Sequence, residues 1–364
     1  MQKITKIVLT GGPCAGKSTA MSWIQNAFTE RGYKVLFVPE VATELITGGV
    51  APWTCGSNLE YQYCQMLQQM QKEEIFAYAA QTMPDEKILI VCDRGMMDNR
   101  AYMTEEEFQA ALKRINKTEV EIRDDYEAVF HLVTAAKGVP EIYLKNKDNN
   151  QARTESVEKA AALDDKLISA WTGHPHLRVI DNSTGFESKM KRLISEIAGF
   201  LGEPEPYEIE RKFLIEYPEL AYLESRSDCQ KVEIIQTYLN AGPDEEARVR
   251  QRGADGSYIY FKTIKKKITE TSRIEIEERL SQAEYLKNLM NADTNLHQIR
   301  KNRYCLTYEG QYFEIDIYPF WTDKAIVEIE LLSEEEEIKM PEFLHVIKEV
   351  TDDVNYKNSS LARL

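Results

Sequence analysis

Residues 4–19 read ITKIVLTGGPCAGKST, and their order decides the architecture of the first half of the chain. The apolar run Ile4 to Thr10 predicts a strand. Gly11-Gly12-Pro13-Cys14-Ala15-Gly16-Lys17-Ser18-Thr19 meets the spacing G-x-x-x-x-G-K-[ST], and Lys17 to Arg31 has helical spacing closed by Gly32. Strand, glycine-rich loop and helix in that order wrap backbone N–H groups around an anion at the positive end of a helix. Lys17 is expected to bridge phosphate oxygens and Ser18 to ligate Mg²⁺, so every residue from Gly11 to Thr19 is an expected nucleotide contact.

Outward from that loop, short apolar runs alternate with longer amphipathic ones, the rhythm of a parallel sheet with helices on its faces. Further strands are expected at Lys34 to Val38, Ile88 to Asp93, Ala128 to Val133 and Leu177 to Asp181. The third ends in Cys92-Asp93-Arg94-Gly95 and delivers Asp93 to the carboxyl edge of the sheet, where open α/β folds bind ligands. Asp93 is the expected Mg²⁺-side carboxylate. Val38-Pro39-Glu40 brings Glu40 to the same edge, suited to an acceptor hydroxyl or its general base, with a helix N-cap as the alternative reading for Glu40 and Asp93 alike. Together with Asp98-Asn99-Arg100-Ala101-Tyr102 and Ala152-Arg153-Thr154-Glu155, these residues resemble the P-loop kinase-like ATPases typified by nicotinamide riboside and deoxynucleoside kinases. The resemblance implies that Arg153 closes as a lid arginine over the transferring phosphate, making Glu40, Asp93 and Arg153 the expected catalytic residues of this half.

At Gly202-Glu203-Pro204-Glu205-Pro206 the rhythm changes, which predicts an α/β P-loop domain over 1–202 and a second domain over 203–364. Beyond the boundary, alternating strands are expected at Tyr207 to Ile215, Val232 to Leu239, Glu246 to Arg252, Ser257 to Lys262, Ser272 to Leu280, Gln298 to Tyr308, Gln311 to Tyr318 and Lys324 to Leu331. Turn signals such as Asp255-Gly256 and Glu309-Gly310 join them into an antiparallel meander with enough strands to close into a barrel. Charged i, i+2 pairs recur on these strands: Glu208 and Glu210 with Lys212, then Arg248 and Arg250, Glu275 and Glu277, Lys301 and Arg303, Glu314 and Asp316, Glu328 and Glu330, with Lys262 alone. The intervening residues are mixed, apolar Ile209, Val249, Ile276, Ile315 and Ile329 beside Arg211 and Asn302. A barrel with a charged lumen accounts for both sets. Such a lumen is tolerable if it holds a polyphosphate with divalent cations, carboxylates on the metal and bases on the remaining oxygens.

The second half is similar to the CYTH domain, the triphosphate tunnel metalloenzymes, whose signature E-x-E-x-K is met by Glu208, Glu210 and Lys212. The resemblance implies an α+β domain built on a closed antiparallel β-barrel. It implies that Glu208, Glu210 and Glu330 hold a catalytic Mg²⁺ or Mn²⁺, with Glu277, Asp316 and Glu328 near a second ion. It gives Lys212 a catalytic place and makes Lys212, Arg248, Arg250, Lys262, Lys301, Arg303 and Lys357 the triphosphate contacts. The family spans inorganic, thiamine and RNA 5′-triphosphatases and adenylyl cyclases, and its fold does not choose among them. The order of the two halves is similar to the TRPL translocation defect proteins.

Over 364 residues the formal net charge is −15, against a sequence-independent nucleic-acid binder. Nothing approaches the roughly 20 apolar residues of a bilayer span, which predicts a cytosolic protein; a phosphoinositide contact is what the resemblance to the TRPL translocation defect proteins implies. Six scattered cysteines without a C-x-x-C pair point to neither a zinc site nor a disulfide framework. The expected function is metal-dependent hydrolysis of inorganic triphosphate or a nucleoside triphosphate, coupled to a P-loop domain that binds ATP or GTP and phosphorylates a small acceptor. The alternatives are a GTP-binding switch whose tunnel recognises a phosphorylated lipid or nucleotide without turnover, and an adenylyl cyclase.

Overall fold

The computed structural model describes residues 2–147, 156–203, 209–242, 245–267, 273–331 and 337–363. The chain divides into two compact units, Met1–Pro206 and Tyr207–Leu364. Among the described residues no helix is long and apolar enough to cross a membrane.

In the first unit β1 (Lys3–Gly11), β2 (Lys34–Val38), β3 (Lys87–Asp93), β4 (Ala128–Leu132) and β5 (Leu177–Ile180) pair in parallel in the order β2-β3-β1-β4-β5. The helices are α1 (Lys17–Glu30), α2 (Val41–Thr47), α3 (Asn58–Gln81), α4 (Glu105–Ile115), α5 (Glu119–Arg123), α6 (Pro140–Lys147), α7 (Val157–Trp171) and α8 (Phe186–Leu201). Ile7, Leu9, Leu89, Val91, Phe130 and Leu132 of the strands pack against Ala20, Ile24 and Phe28 of α1 and Met190, Leu193 and Ile197 of α8. Each such buried Val, Leu, Ile, Phe or Met side chain is worth about 1.5–3 kcal/mol. The strand order turns back at β1, so a crevice opens at its carboxyl end, where open α/β sheets bind ligands. The glycine-rich loop leaves from that end. Gly11 there has φ +147°, and a Cβ on it would stand 2.2 Å from the Leu132 carbonyl oxygen, so no other residue lets the loop turn away from β4.

The second unit comprises β6 (Ile209–Glu216), α9 (Leu220–Ser225), β7 (Cys229–Leu239), β8 (Glu245–Ala254), β9 (Ser257–Lys267), β10 (Arg273–Leu280), α10 (Gln282–Leu289), β11 (Ile299–Tyr308), β12 (Gln311–Ile317), β13 (Lys324–Leu331), β14 (Val346–Glu349) and α11 (Asn358–Leu361). All nine strands join one antiparallel sheet, in the order β10-β9-β8-β7-β11-β12-β13-β6-β14. This corrects the closed barrel expected from the meander: among the described residues the ladder ends at β10 and β14, and no pairing joins the two. The free edge of β6 that closure would have used is taken by β14, whose short sequence VIKE, exposed throughout, carries the charge that protects an edge.

The two faces of this sheet differ. Phe213, Ile215, Leu306, Phe313, Ile315, Val327 and Ile329 form one apolar layer, covered by Leu223 of α9 and by Leu344. Of the residues between the charged pairs, Val249 packs in a separate cluster with Leu239, Leu280 and Tyr285, and Ile315 and Ile329 join this layer. Arg211 stays at its rim, where its guanidinium donates two hydrogen bonds to Glu349. The opposite face carries the charges. It is shut at one end by Leu214, Tyr238, Ile299, Tyr318 and Ile326 packed with Leu361 and Ala362, and Val232, Ile234 and Cys305 cluster elsewhere on it.

Candidate functional site

In the first unit β1 and α1 hold the loop Gly11–Gly16, Lys17 opens α1, Asp93 ends β3, and Glu40 precedes α2. Glu40 occupies the N-cap position without capping. Its carboxylate instead accepts from Arg94 Nε (2.6 Å) and Thr43 Oγ1 (2.6 Å). Burial works to raise its pKa, but the Arg94 guanidinium and then Lys17 outweigh it and hold the group down to about 2. Lys17 is pushed down by burial and by Arg94, with Asp93, Glu40 and Asp98 opposing, so these charges share one pocket. Burial pushes Asp93 up, and Lys17 opposes it. Among the described residues, Asp93 Oδ1 and Arg94 Nη1 are buried polar atoms without a hydrogen-bond partner. A stray acceptor and a stray donor beside a phosphate cradle suit a divalent cation and an anion respectively.

Two residues of this site were not legible locally. Asp164 of α7, fully buried, accepts from the N–H groups of Gly12 (2.9 Å) and Thr134 (3.1 Å), with His131 Nε2 at 3.0 Å and Lys137 Nζ at 3.1 Å. Lys189 of α8, also buried, donates to the carbonyls of Ala15 (3.3 Å) and Val133 (2.7 Å) and to Asn182 Oδ1 (2.8 Å). Burial pulls its pKa down to about 8. Arg153 lies outside the described residues.

In the second unit, directly opposed residues share a face, so the register sorts the charges. Arg248 and Arg250 of β8 face Thr263 and Phe261 of β9, and Thr263 faces Glu277 of β10. Gln236 of β7 faces Arg250 and Ile299; Arg303 faces Asp316; Glu314 faces Glu328; Glu328 faces Lys212; Glu330 faces Glu210. Lys262 faces Val249 and Glu278 and so sits on the other side of the sheet from Arg248 and Arg250, which corrects its expected place among the triphosphate contacts. Lys265, opposite Glu246, has the parity of Thr263 and belongs to the charged face. Arg252 shares that face and is buried beside Cys305.

The charged face is dry at its middle: Lys301, Arg303, Asp316 and Glu328 are buried. Lys301 and Arg303 both bind Asp316, and Arg303 also donates to Glu328 (2.6 Å) and to Glu314. Glu328 further accepts from Lys212 Nζ (2.7 Å), and Glu277 from Arg250 (2.7 Å). Burial opposes the ionised form of Glu328, yet Lys212 and then Arg303 hold its pKa well below the carboxylate range. Glu210 behaves oppositely. Burial and then the Glu328 carboxylate lift it to about 7, with Glu330 adding to the rise and Lys212 opposing.

Among the described residues no three His, Cys, Asp or Glu side chains lie together at ligating spacing. Glu328, Asp316 and Glu277 pair with basic partners, and four strands of the sheet lie between Glu277 on β10 and Asp316 on β12. Glu208 lies outside the described residues. The Glu210 and Glu330 carboxylates nonetheless oppose each other directly, an arrangement that repels itself and suits a hard divalent cation. Lys357, exposed at the start of α11, makes no described contact with the charged face.

Known families match both halves of the chain. Residues 6–189 match the family described as "AAA domain", and residues 206–351 match "CYTH domain". An inorganic triphosphatase of Nitrosomonas europaea is 33% identical over 162 residues, 43% of this chain and 96% of that protein. A crystal structure of an inorganic triphosphatase is 28% identical, covers 43% of this chain and 95% of its own, and superposes with a TM-score of 0.32. A Pyrococcus horikoshii protein structure is 22% identical over 35% of this chain and 80% of its own, with a TM-score of 0.27.

Proposed function

The chain belongs to the CYTH family through its second half and carries an AAA domain in its first, and from that premise we propose that it is a metal-dependent triphosphatase joined to a nucleotide-binding phosphotransferase domain. The second half hydrolyses inorganic triphosphate or a nucleoside triphosphate. The observation that carries this reading is the one charged face, buried at its middle by Lys301, Arg303, Asp316 and Glu328, on which Glu210 and Glu330 oppose each other and which Arg248 and Arg250 share. A pure anion receptor needs the bases and has no use for opposed carboxylates.

Glu210 and Glu330, with Glu208, would hold one Mg²⁺ or Mn²⁺. When bound, that ion neutralises phosphate charge and acidifies a water. Arg248, Arg250, Lys265, Lys301 and Arg303 take the phosphate oxygens. Lys212 acts as a permanent cation: burial opposes its charge, but Glu328 and Glu210 raise its pKa above the usual lysine range, so it stabilises developing negative charge and does not accept a proton. Glu328 keeps Lys212 in place.

In the first half the loop Gly11–Thr19 binds ATP or GTP, and Ser18 and Asp93 would hold its Mg²⁺. Glu40, ionised down to pH about 2, is too weak a base to take a proton outright. It orients the acceptor hydroxyl beside Arg94.

Phosphate release from triphosphate separates the two halves. Glu210→Gln should lower it on the order of 100-fold, and Lys17→Ala should leave it unchanged. Loss in Lys17→Ala alone would move hydrolysis to the phosphate loop. No release from any triphosphate with either ion would replace the enzyme by a nucleotide switch.

A further inference from the structure

Phe186, the first residue of α8, leaves a large aromatic ring 49% exposed beside the phosphate loop. The ring edge lies against Gly16, the residue before Lys17: a Cβ on Gly16 would stand 2.7 Å from Phe186 Cε2 and 3.1 Å from Cζ. Gly16 itself has φ +95°, so both its conformation and its missing side chain bring ring and loop together. The mount is rigid. One turn along α8, Lys189 ties the helix to Ala15 of the loop, to Val133 after β4 and to Asn182 after β5. The Asn182 amide in turn donates to the carbonyls of Thr134 and Lys137, both at 2.8 Å.

We propose that Phe186 is the stacking platform for the base of a nucleotide whose phosphates lie in the Gly11–Thr19 loop, an inference that rests on the nucleotide-binding reading of that loop. Every base offers a π face to such a ring, and the ring is held by its edge at the cradle with half of its surface in solvent. Inorganic triphosphate has no base and gains nothing from Phe186. The residue therefore makes the first half select nucleosides carrying phosphates and pass over the inorganic polyphosphate that the second half consumes.

The test measures binding of a purine nucleoside diphosphate and of pyrophosphate to the full-length chain, in an Arg250→Ala background that weakens anion binding in the second half. Phe186→Leu, which keeps bulk against Gly16 but has no π face, should weaken the nucleotide about tenfold, the order seen for base–aromatic stacking, and leave pyrophosphate unchanged. Phe186→Tyr should restore the nucleotide. Parallel weakening of both ligands in Phe186→Leu, or no weakening of either, would overturn the stacking role. Failure of the unsubstituted loop to bind nucleotide in a Lys17-dependent way, tested with Lys17→Ala, would overturn the nucleotide reading itself.

Discussion

Asp164 is the residue on which the shape of the phosphate cradle depends. Its carboxylate is shared by the N–H groups of Gly12 and Thr134, by His131 and by Lys137 in a fully buried position. Burial works against the ionised form, yet His131 and Lys137 hold its pKa below the ordinary value of 3.8. A depressed carboxylate stabilises the fold at pH values above its unfolded pKa and loses that contribution as pH falls through the folded one. The first unit should therefore destabilise on acidification below about pH 4, and Asp164→Asn should flatten that dependence when denaturant midpoints are compared across pH. Asp164→Ala should cost about 3–5 kcal/mol, because it strands buried partners, and should weaken nucleotide binding even where the protein stays folded. A midpoint insensitive to either change would show that Gly12 and Thr134 find other acceptors. Nothing near Asp164 in sequence marks it, since its bond to Gly12 spans 152 positions.

Strand β9 shows how an element assigns its side chains. Read as ending at Lys262, it offered that lysine as the lumen base; it in fact runs to Lys267, and its partner β8 decides which face each residue meets. The two-residue turn Asp255-Gly256 sets Ala254 opposite Ser257, and counting back from it puts Thr263 opposite Arg248. Lys262 then falls on the far face and Lys265 on the charged one. That signal was present in the sequence, because hairpin length fixes register. Lys265→Ala should lower triphosphate turnover by about ten- to hundredfold, the worth of a charge-assisted hydrogen bond to phosphate, while Lys262→Ala stays near wild type in the same kinetic assay. The reverse outcome would require a different register between β8 and β9.

At the scale of the whole molecule, each unit owns a core: Ile7, Phe28 and Phe130 lie in one, and Phe213, Phe313 and Val327 in the other. A unit with its own core folds alone. Residues 203–364 expressed by themselves should melt cooperatively and hydrolyse triphosphate at the rate of the full chain; an unfolded or inactive fragment would show that the first half completes the second. The amino-acid sequence by itself determined the parallel sheet and its phosphate loop, the change of rhythm near Pro204, and the strands with their charged pairs. These are local patterns, written in periodicity and in residues that tolerate few neighbours. Only the tertiary structure decided that β14 takes the edge a barrel would close, that Asp164 and Lys189 brace the loop, and that Glu328 turns to Lys212 and Arg303. Those outcomes depend on which distant strand or helix arrives alongside, and a buried charge takes the partner that packing brings within reach.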